Sequence, residues 1–522
     1  MVRARRPHVV AAGAIAASGL LALALRLPFV ATGIGPDEGG YAYVAQQWAR
    51  GARLYQSAWI DRPQGLMVVY RLLLDLGSPT WSIRLGAVLF GVGVTLLLGA
   101  AGWLLKGPAA GVAAAGIYAV VGVAPRLEGF TFNAELAAAL PTAAAVVAAL
   151  LWRRSRRGAW LLVAGAAGGA ALLMKQSGFD GLVIAAVIAA TADGWRARGR
   201  SLALLAAGAA VPLGASVVHG LTVGWHNYWF AVVDYKLGAA SAGEATLHDR
   251  ADYFHRTFPS ALADLHGVVL IAALGALLAL RRRTEAAIPL VWFLVALVGF
   301  NVGGLYWRHY YVQLLAPLAL LAAVAIANVR RLELRAVLAA IAVVPVAVYL
   351  VQLATMSHAQ RVRTITYYRS YEADRRIAAA IRARSSPDAP IYVLSARADV
   401  YLLAHRRTSY RYLWGHEIHE IKGAVDELRS LLTRPTGPDW VVAYSNPLHV
   451  DHSGLLMRDL VAHYCFDSRV LGSEAIIFRR AQAPRARRRC ASSARARALE
   501  AAWKRAWAAE SGQKGARGRG LY

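Results

Sequence analysis

The chain has 522 residues, 57% hydrophobic and 17% charged, with a formal net charge of +28. That composition excludes an ordinary soluble globular protein, because the apolar residues fall in blocks near the ~20 residues that a bilayer-crossing helix needs. The charge does not point to nucleic acid: the arginines sit mostly in short loops between apolar blocks and in the tail, where membrane topology accounts for them. Two cysteines, Cys465 and Cys490, give neither a disulfide framework nor a zinc spacing.

Arg3, Arg5 and Arg6 precede the first apolar block, which reads as a retained helix rather than a cleaved signal. Eleven spans are predicted, over 9–30, 82–105, 109–124, 134–152, 159–174, 179–193, 201–219, 264–280, 286–303, 310–328 and 336–355. With the N-terminus cytoplasmic, the inner loops are Lys106 to Pro108, Arg153 to Arg157, Trp195 to Arg200, Arg281 to Arg283 and Arg330 to Arg335, and every loop of clustered arginines is among them. The outer loops are then 31–81, 125–133, 175–178, 220–263 and 304–309. Loop 220–263 carries Trp225, Tyr228, Trp229, Tyr235, Lys236, His248 and Asp249, and reads as a sugar-stacking lid or an interfacial anchor.

Residues 1–356 thus form a transmembrane module. An odd number of spans leaves the rest of the chain outside the cytoplasmic membrane. From 357 to 480 the composition turns mixed. Strands are predicted over 391–394, 440–444 and 475–478, with helices over 373–384, 417–432 and 454–464. That alternation describes a small α/β domain. Within it, His416-Glu417-Ile418-His419-Glu420 lacks the fifth-position histidine of a zinc-protease motif and reads as a solvated helix start. Residues 481–522 read as a mostly disordered basic tail that touches anionic lipid headgroups. The expected fold class is an α-helical polytopic membrane protein with about eleven transmembrane helices and a small extracytoplasmic α/β domain.

Residues 35–84 form a polar stretch between two long apolar segments. Asp37 and Glu38 precede an amphipathic run with Tyr41, Val44, Ala45 and Trp48 on one face, and Gly51 stands where that helix stops. Such a helix lies along the membrane surface. Arg62 precedes Pro63 on a second segment. Carboxylates and a cation beside lipid suit transfer chemistry on a phosphate-bearing lipid.

An apolar first helix, Asp37-Glu38, the following Tyr41 and a basic residue before proline resemble the polyprenyl-phosphate-sugar-dependent membrane glycosyltransferases of the GT-C type. That superfamily includes protein O-mannosyltransferases and lipid A aminoarabinose transferases. Further resemblance lies in Ser82-Ile83-Arg84-Leu85, in Phe132-Asn133-Ala134-Glu135 and in His309-Tyr310-Tyr311-Val312-Gln313-Leu314-Leu315-Ala316-Pro317. The matches keep the family's order through about residue 320. Where the family usually has Lys-Pro-Pro, this chain reads Arg62-Pro63-Gln64.

The resemblance implies a GT-C-like fold and an inverting transfer of one sugar from a polyprenyl monophosphate. The acceptor is a glycan, a lipid or a protein outside the cytoplasmic membrane. It implies no nucleotide sugar, no required cofactor and no strict metal, although Asp37 and Glu38 suit a divalent ion. Asp37 is the implied base, with Glu38 supporting it; a helix cap is the plain alternative for Asp37. Arg62, Arg84, Lys175 and Arg308 are the cations for the donor phosphate, or else snorkel to headgroups. His309 and Tyr310 join them, or belong to an aromatic belt. Tyr41, Glu128, Asn133 and Glu135 are expected to contact sugar or acceptor; Glu135 otherwise begins a helix.

Two other classes compete: a transporter or lipid flippase, which calls for mid-membrane charges and internal symmetry, and a non-catalytic assembly scaffold of the cell envelope. The topology itself is testable by thiol labelling of intact cells. An introduced cysteine near Ser386 should react from outside and one near Ser155 should not. Labelling of the second would overturn the span assignment.

Overall fold

The computed structural model describes residues 2–241, 247–282, 285–302, 304–394, 397–473 and 475–517. Arg283, Gly303, residues 242–246 and the tail end 518–522 lie outside them, as do the side chains of His248 and Asp249. The chain divides into two compact units. One comprises Met1–Thr32, Arg62–Trp225 and Ala245–Ser357; the other comprises Gly33–Asp61, His226–Glu244 and His358–Tyr522. Composition alone draws one boundary near 356. The surface helix after Gly35 and the segment around Tyr235 instead cluster with the C-terminal residues.

The first unit is helical. Each of the eleven predicted spans falls on a helix, but seven reach spanning length: His8–Val30, Pro79–Lys106, Ala134–Ser155, Trp195–Val223, Arg250–Arg281, Arg308–Asn328 and Leu332–Thr355. The other four, Pro108–Val121, Ala159–Met174, Asp180–Ala189 and Ala287–Val302, are 10 to 16 residues long. At 1.5 Å per residue such helices fall short of a ~30 Å hydrocarbon layer. Prolines open several helices at the first position, where a missing N–H costs nothing. Helices pack through small residues: a Cβ on Gly165 would collide with the carbonyl of Leu205, and one on Gly208 with that of Leu162. The expected lid is helix rather than loop, with Trp225–Trp229, a π-helical turn Phe230–Asp234, Tyr235–Ser241 and the long Leu247–Arg282.

The second unit holds a four-stranded sheet in the order β1-β2-β4-β3. These are β1 (Ile391–Leu394), β2 (Trp440–Ala443), β3 (Tyr464–Arg469) and β4 (Ile476–Arg480). β1 and β2 run parallel, whereas β4 is antiparallel to β2 and to β3. Tyr392, Val442 and Ile477 are fully buried on it, with Ile377 and Ile381 of helix Thr366–Arg384. β3 escapes sequence reading because a bulge between Phe466 and Ser468 breaks its alternation. The expected helix over 417–432 is two, Gly415–Glu420 and Ala424–Thr433, parted by Gly423 at φ 82°.

The described residues of the tail, expected to be mostly disordered, are largely helical. They form helices Pro484–Ala491 and Ala494–Arg517. Ala496, Leu499, Trp503 and Trp507 recur at helical spacing; Ala496 and Leu499 are buried. The Trp503 ring meets Phe478 at 6.1 Å, and its carbonyl accepts from Asn446 at 2.8 Å. The two cysteines, unassigned from sequence, are joined: Cys465 on β3 is bonded to Cys490. A crosslink across a loop of this length contributes about 2–4 kcal/mol. Reducing the protein should therefore free helix Pro484–Ala491 and hasten trypsin cleavage at its arginines. An unchanged cleavage rate would mean that packing alone holds it.

Candidate functional site

The predicted site residues fall in both units, and each set has its own geometry.

In the second unit, helix Pro36–Ala49 starts at Gly35, which has no side chain to cap it. The cap comes from Glu38, which is fully buried and accepts the Gly35 N–H at 3.1 Å. The Tyr367 hydroxyl shares that N–H. Asp37 is therefore not the helix cap. Its carboxylate is half-buried, and Oδ1 accepts a hydrogen bond from the Trp414 indole at 3.2 Å. Tyr41, one turn on, is buried with its ring 6.0 Å from that of Trp414. At Gly39 a Cβ would run into Asp399, so this helix lies as close to helix Asp399–Ala404 as glycine allows.

Trp414 is held in turn by Glu417. One carboxylate oxygen of Glu417 accepts the N–H groups of Leu413, at 3.1 Å, and Trp414, at 3.3 Å. The sequence predicts a solvated helix start here, yet Glu417 is fully buried. The helix is only six residues long and Glu417 folds back to cap it, which takes the carboxylate inward. Burial pushes its carboxyl well above the usual range, and the charge of Asp61 adds to this. Asp61 is itself buried and paired with Lys236.

In the first unit, the chemistry gathers at helix ends. Helix Ala159–Met174 ends at Lys175, where a cation suits the helix dipole. Glu135 lies in the first turn of Ala134–Ser155, where an acid does. The two form a buried ion pair. The Lys175 ammonium also lies 3.9 Å from the centre of the Tyr310 ring. His309 stands between two acids: Nδ1 is 3.3 Å from Glu128 and Nε2 is 4.0 Å from Glu135. Glu128 has φ 57°, a left-handed backbone unusual for a side-chain-bearing residue; it follows the short turn Pro125–Leu127.

The structure thus brings together Glu128, Glu135, Lys175, His309 and Tyr310. Arg84 is fully buried and donates to the Phe130 carbonyl at 3.3 Å, which ties down the segment bearing Glu128. Asn133 occupies the N-cap position of the Glu135 helix but does not cap it with its side chain. Arg62 precedes Pro63, the N-cap of Gln64–Leu74, and Arg308 opens the turn Arg308–Tyr311.

A small cavity of about 20 Å³ adjoins the Lys175–Glu135 pair, lined by Ala138, Ala139, Thr142, Gly178 and Ala316. It also reaches Gln313 of the His309–Pro317 motif, and Asp180 and Trp292, which sequence reasoning does not select. The Trp292 indole donates to Asp180 at 2.7 Å, and Gln313 donates to the Ser177 carbonyl at 2.8 Å. A carboxylate at the start of the apolar stretch 179–193, whose other acid is Asp193 at its far end, is the signal for Asp180. Among the described residues no group of three or more His, Cys, Asp or Glu side chains is arranged to hold a metal.

A family model for dolichyl-phosphate-mannose-protein mannosyltransferases matches residues 61–219. No curated protein matches the chain in sequence. The structure of ArnT from Cupriavidus metallidurans bound to undecaprenyl phosphate is similar, with a TM-score of 0.55 at 16% identity, over 89% of this chain and 97% of that one. The apo oligosaccharyltransferase of Archaeoglobus fulgidus gives a TM-score of 0.54 at 12% identity, over 91% of this chain and 74% of that one. A mutant of the arabinofuranosyltransferase AftD from Mycobacteria gives 0.51 at 14%, over 89% of this chain and 41% of that one. The chain shares the fold of these GT-C-type glycosyltransferases and, with its apolar helices, is a multi-pass membrane protein.

The ion pair can be tested by stability. Removing one partner of a buried pair leaves a bare charge and costs about 3–5 kcal/mol, whereas removing both is often neutral. Lys175→Met should lower the melting temperature of the detergent-solubilised protein, and Lys175→Met with Glu135→Leu should recover most of the loss. Equal melting of the single and double variants would contradict the pairing.

Proposed function

We propose that this protein is an integral-membrane inverting glycosyltransferase. It moves one sugar from a polyprenyl monophosphate to a glycan, lipid or protein acceptor on the extracytoplasmic side of the cytoplasmic membrane. The shared fold supports this reading, as does the undecaprenyl phosphate bound to the similar ArnT. The disulfide supports the extracytoplasmic side, since such bonds persist in oxidising compartments.

In the reaction an acceptor hydroxyl attacks the anomeric carbon from the face opposite the phosphate. The new C–O bond forms as the bond to the phosphate oxygen breaks. The hydroxyl proton passes to Asp37, and polyprenyl phosphate departs with the bonding electrons. Charge grows on that phosphate, so preplaced cations lower the barrier. Lys175, Arg62, Arg308 and Arg84 counter that charge, with His309 and Tyr310 as hydrogen-bonding partners. Glu38 supports Asp37 through the helix start. Tyr41, Glu128, Asn133 and Glu135 face sugar or acceptor. This scheme needs no cofactor.

The observation that carries the reading is the division of labour between the two adjacent carboxylates. Glu38 caps the helix and is buried, whereas Asp37 remains half-buried with one oxygen oriented by an indole N–H. A carboxylate held this way, and not needed to start its helix, suits a general base.

Asp37→Asn should keep the fold and bind donor normally, but lose about 10²-fold or more in turnover. Glu38→Gln should cost less, since glutamine fills the same capping position. Purified variants assayed with labelled polyprenyl-phosphate sugar give the comparison. Full turnover by Asp37→Asn would remove Asp37 from the mechanism.

A further inference from the structure

We propose that Trp414 is a positioning residue for Asp37 and that Glu417 holds Trp414 for that task. The inference rests on the reading of Asp37 as the base. It assigns a catalytic duty to the His416–Glu420 motif, which carries no metal chemistry of its own.

The geometry is a chain of three links within one unit. Glu417 accepts two successive backbone N–H groups, of Leu413 and Trp414, on one oxygen. That pins the backbone at Trp414. The indole, only 5% exposed, packs beside Tyr41 and against Gly40, where a Cβ would overlap it. Its N–H then meets Asp37 Oδ1 at 3.2 Å.

The chemistry of the donor decides what this contact does. An indole N–H donates and never accepts. It cannot take the proton that Asp37 is to receive. It favours the charged carboxylate over the neutral one, because a hydrogen bond to the ionised form stabilises that form. It also fixes one oxygen, which sets the orientation of the carboxylate. A base that is ionised and oriented before the acceptor arrives needs less reorganisation during the reaction.

Other ionisable groups lie near this helix. Glu38 is in its first turn, and Asp399 packs at Gly39 with Asp374 and Arg397 beside it. Glu417 stands behind Trp414. Loss of the indole N–H alone leaves all of these in place, so a shift that follows it belongs to the Trp414–Asp37 bond.

The experiment compares pH–activity profiles of the full chain with a labelled polyprenyl-phosphate sugar. Trp414→Phe removes the donor. Benzothienylalanine at position 414 removes only the N–H and keeps the ring shape, which covers a folding failure of the phenylalanine variant. The acid limb of activity should move up by about one pH unit, and the plateau should be largely recovered at higher pH, because one hydrogen bond to an ionised group has been lost. Asp37→Asn serves as the control and should abolish that limb. A lower plateau with an unmoved limb would make Trp414 a packing residue and overturn the proposal while leaving Asp37 as base. An active Asp37→Asn with a normal limb would overturn the base and the proposal together.

Discussion

Charge inside an apolar chain is the constraint on which this structure depends. A lysine and a glutamate sit buried where one apolar helix ends and another begins. Each is expensive alone. Three things offset the cost: the pairing itself, the helix dipole at each end and the ring of Tyr310 beneath the ammonium. His309 extends the set to Glu128, so acids and bases alternate along the cluster. The left-handed backbone at Glu128 turns that side chain to meet His309. Remove one partner, and the other is left as a bare buried charge.

The second unit solves a different problem, which is to orient a carboxylate that does not cap its own helix. Glycine at the cap position forces the capping task onto Glu38. Glycine at position 39 lets the helix approach Asp399 closely. Trp414 then reaches Asp37 from 377 residues away in the chain. Placement of one acid thus depends on small residues around it and on a motif near the far end of the sequence.

Much of the first unit was legible because the signal is local. Each apolar block marks a helix; in the second unit likewise, Gly51, at φ 94°, ends the Asp37 helix where the sequence puts it. Length was less legible: Asp180–Ala189 is apolar but only ten residues long, and composition does not distinguish it from a span. What sequence reading could not supply are the partners. Glu135 and Lys175 lie 40 residues apart, and nothing local says that they meet. The tail misled for a compositional reason. Arginine and alanine dominate it, and four apolar residues at helical spacing among them were outweighed. Cys465 and Cys490 are too few to make a pattern, yet one pair suffices to staple a helix to a strand. Glu417 was hidden by its neighbours, since a motif rich in acids and histidines reads as solvated until its backbone partners are seen.

The central claim is that the chain handles a lipid with a single phosphate. Mass spectrometry of lipid copurifying with the protein from its native membrane addresses this without prior choice of sugar or acceptor. The account predicts a polyprenyl monophosphate, bare or carrying one sugar, whose amount falls in Lys175→Gln protein. Recovery of a polyprenyl diphosphate, or of no isoprenoid lipid from active protein, would contradict it.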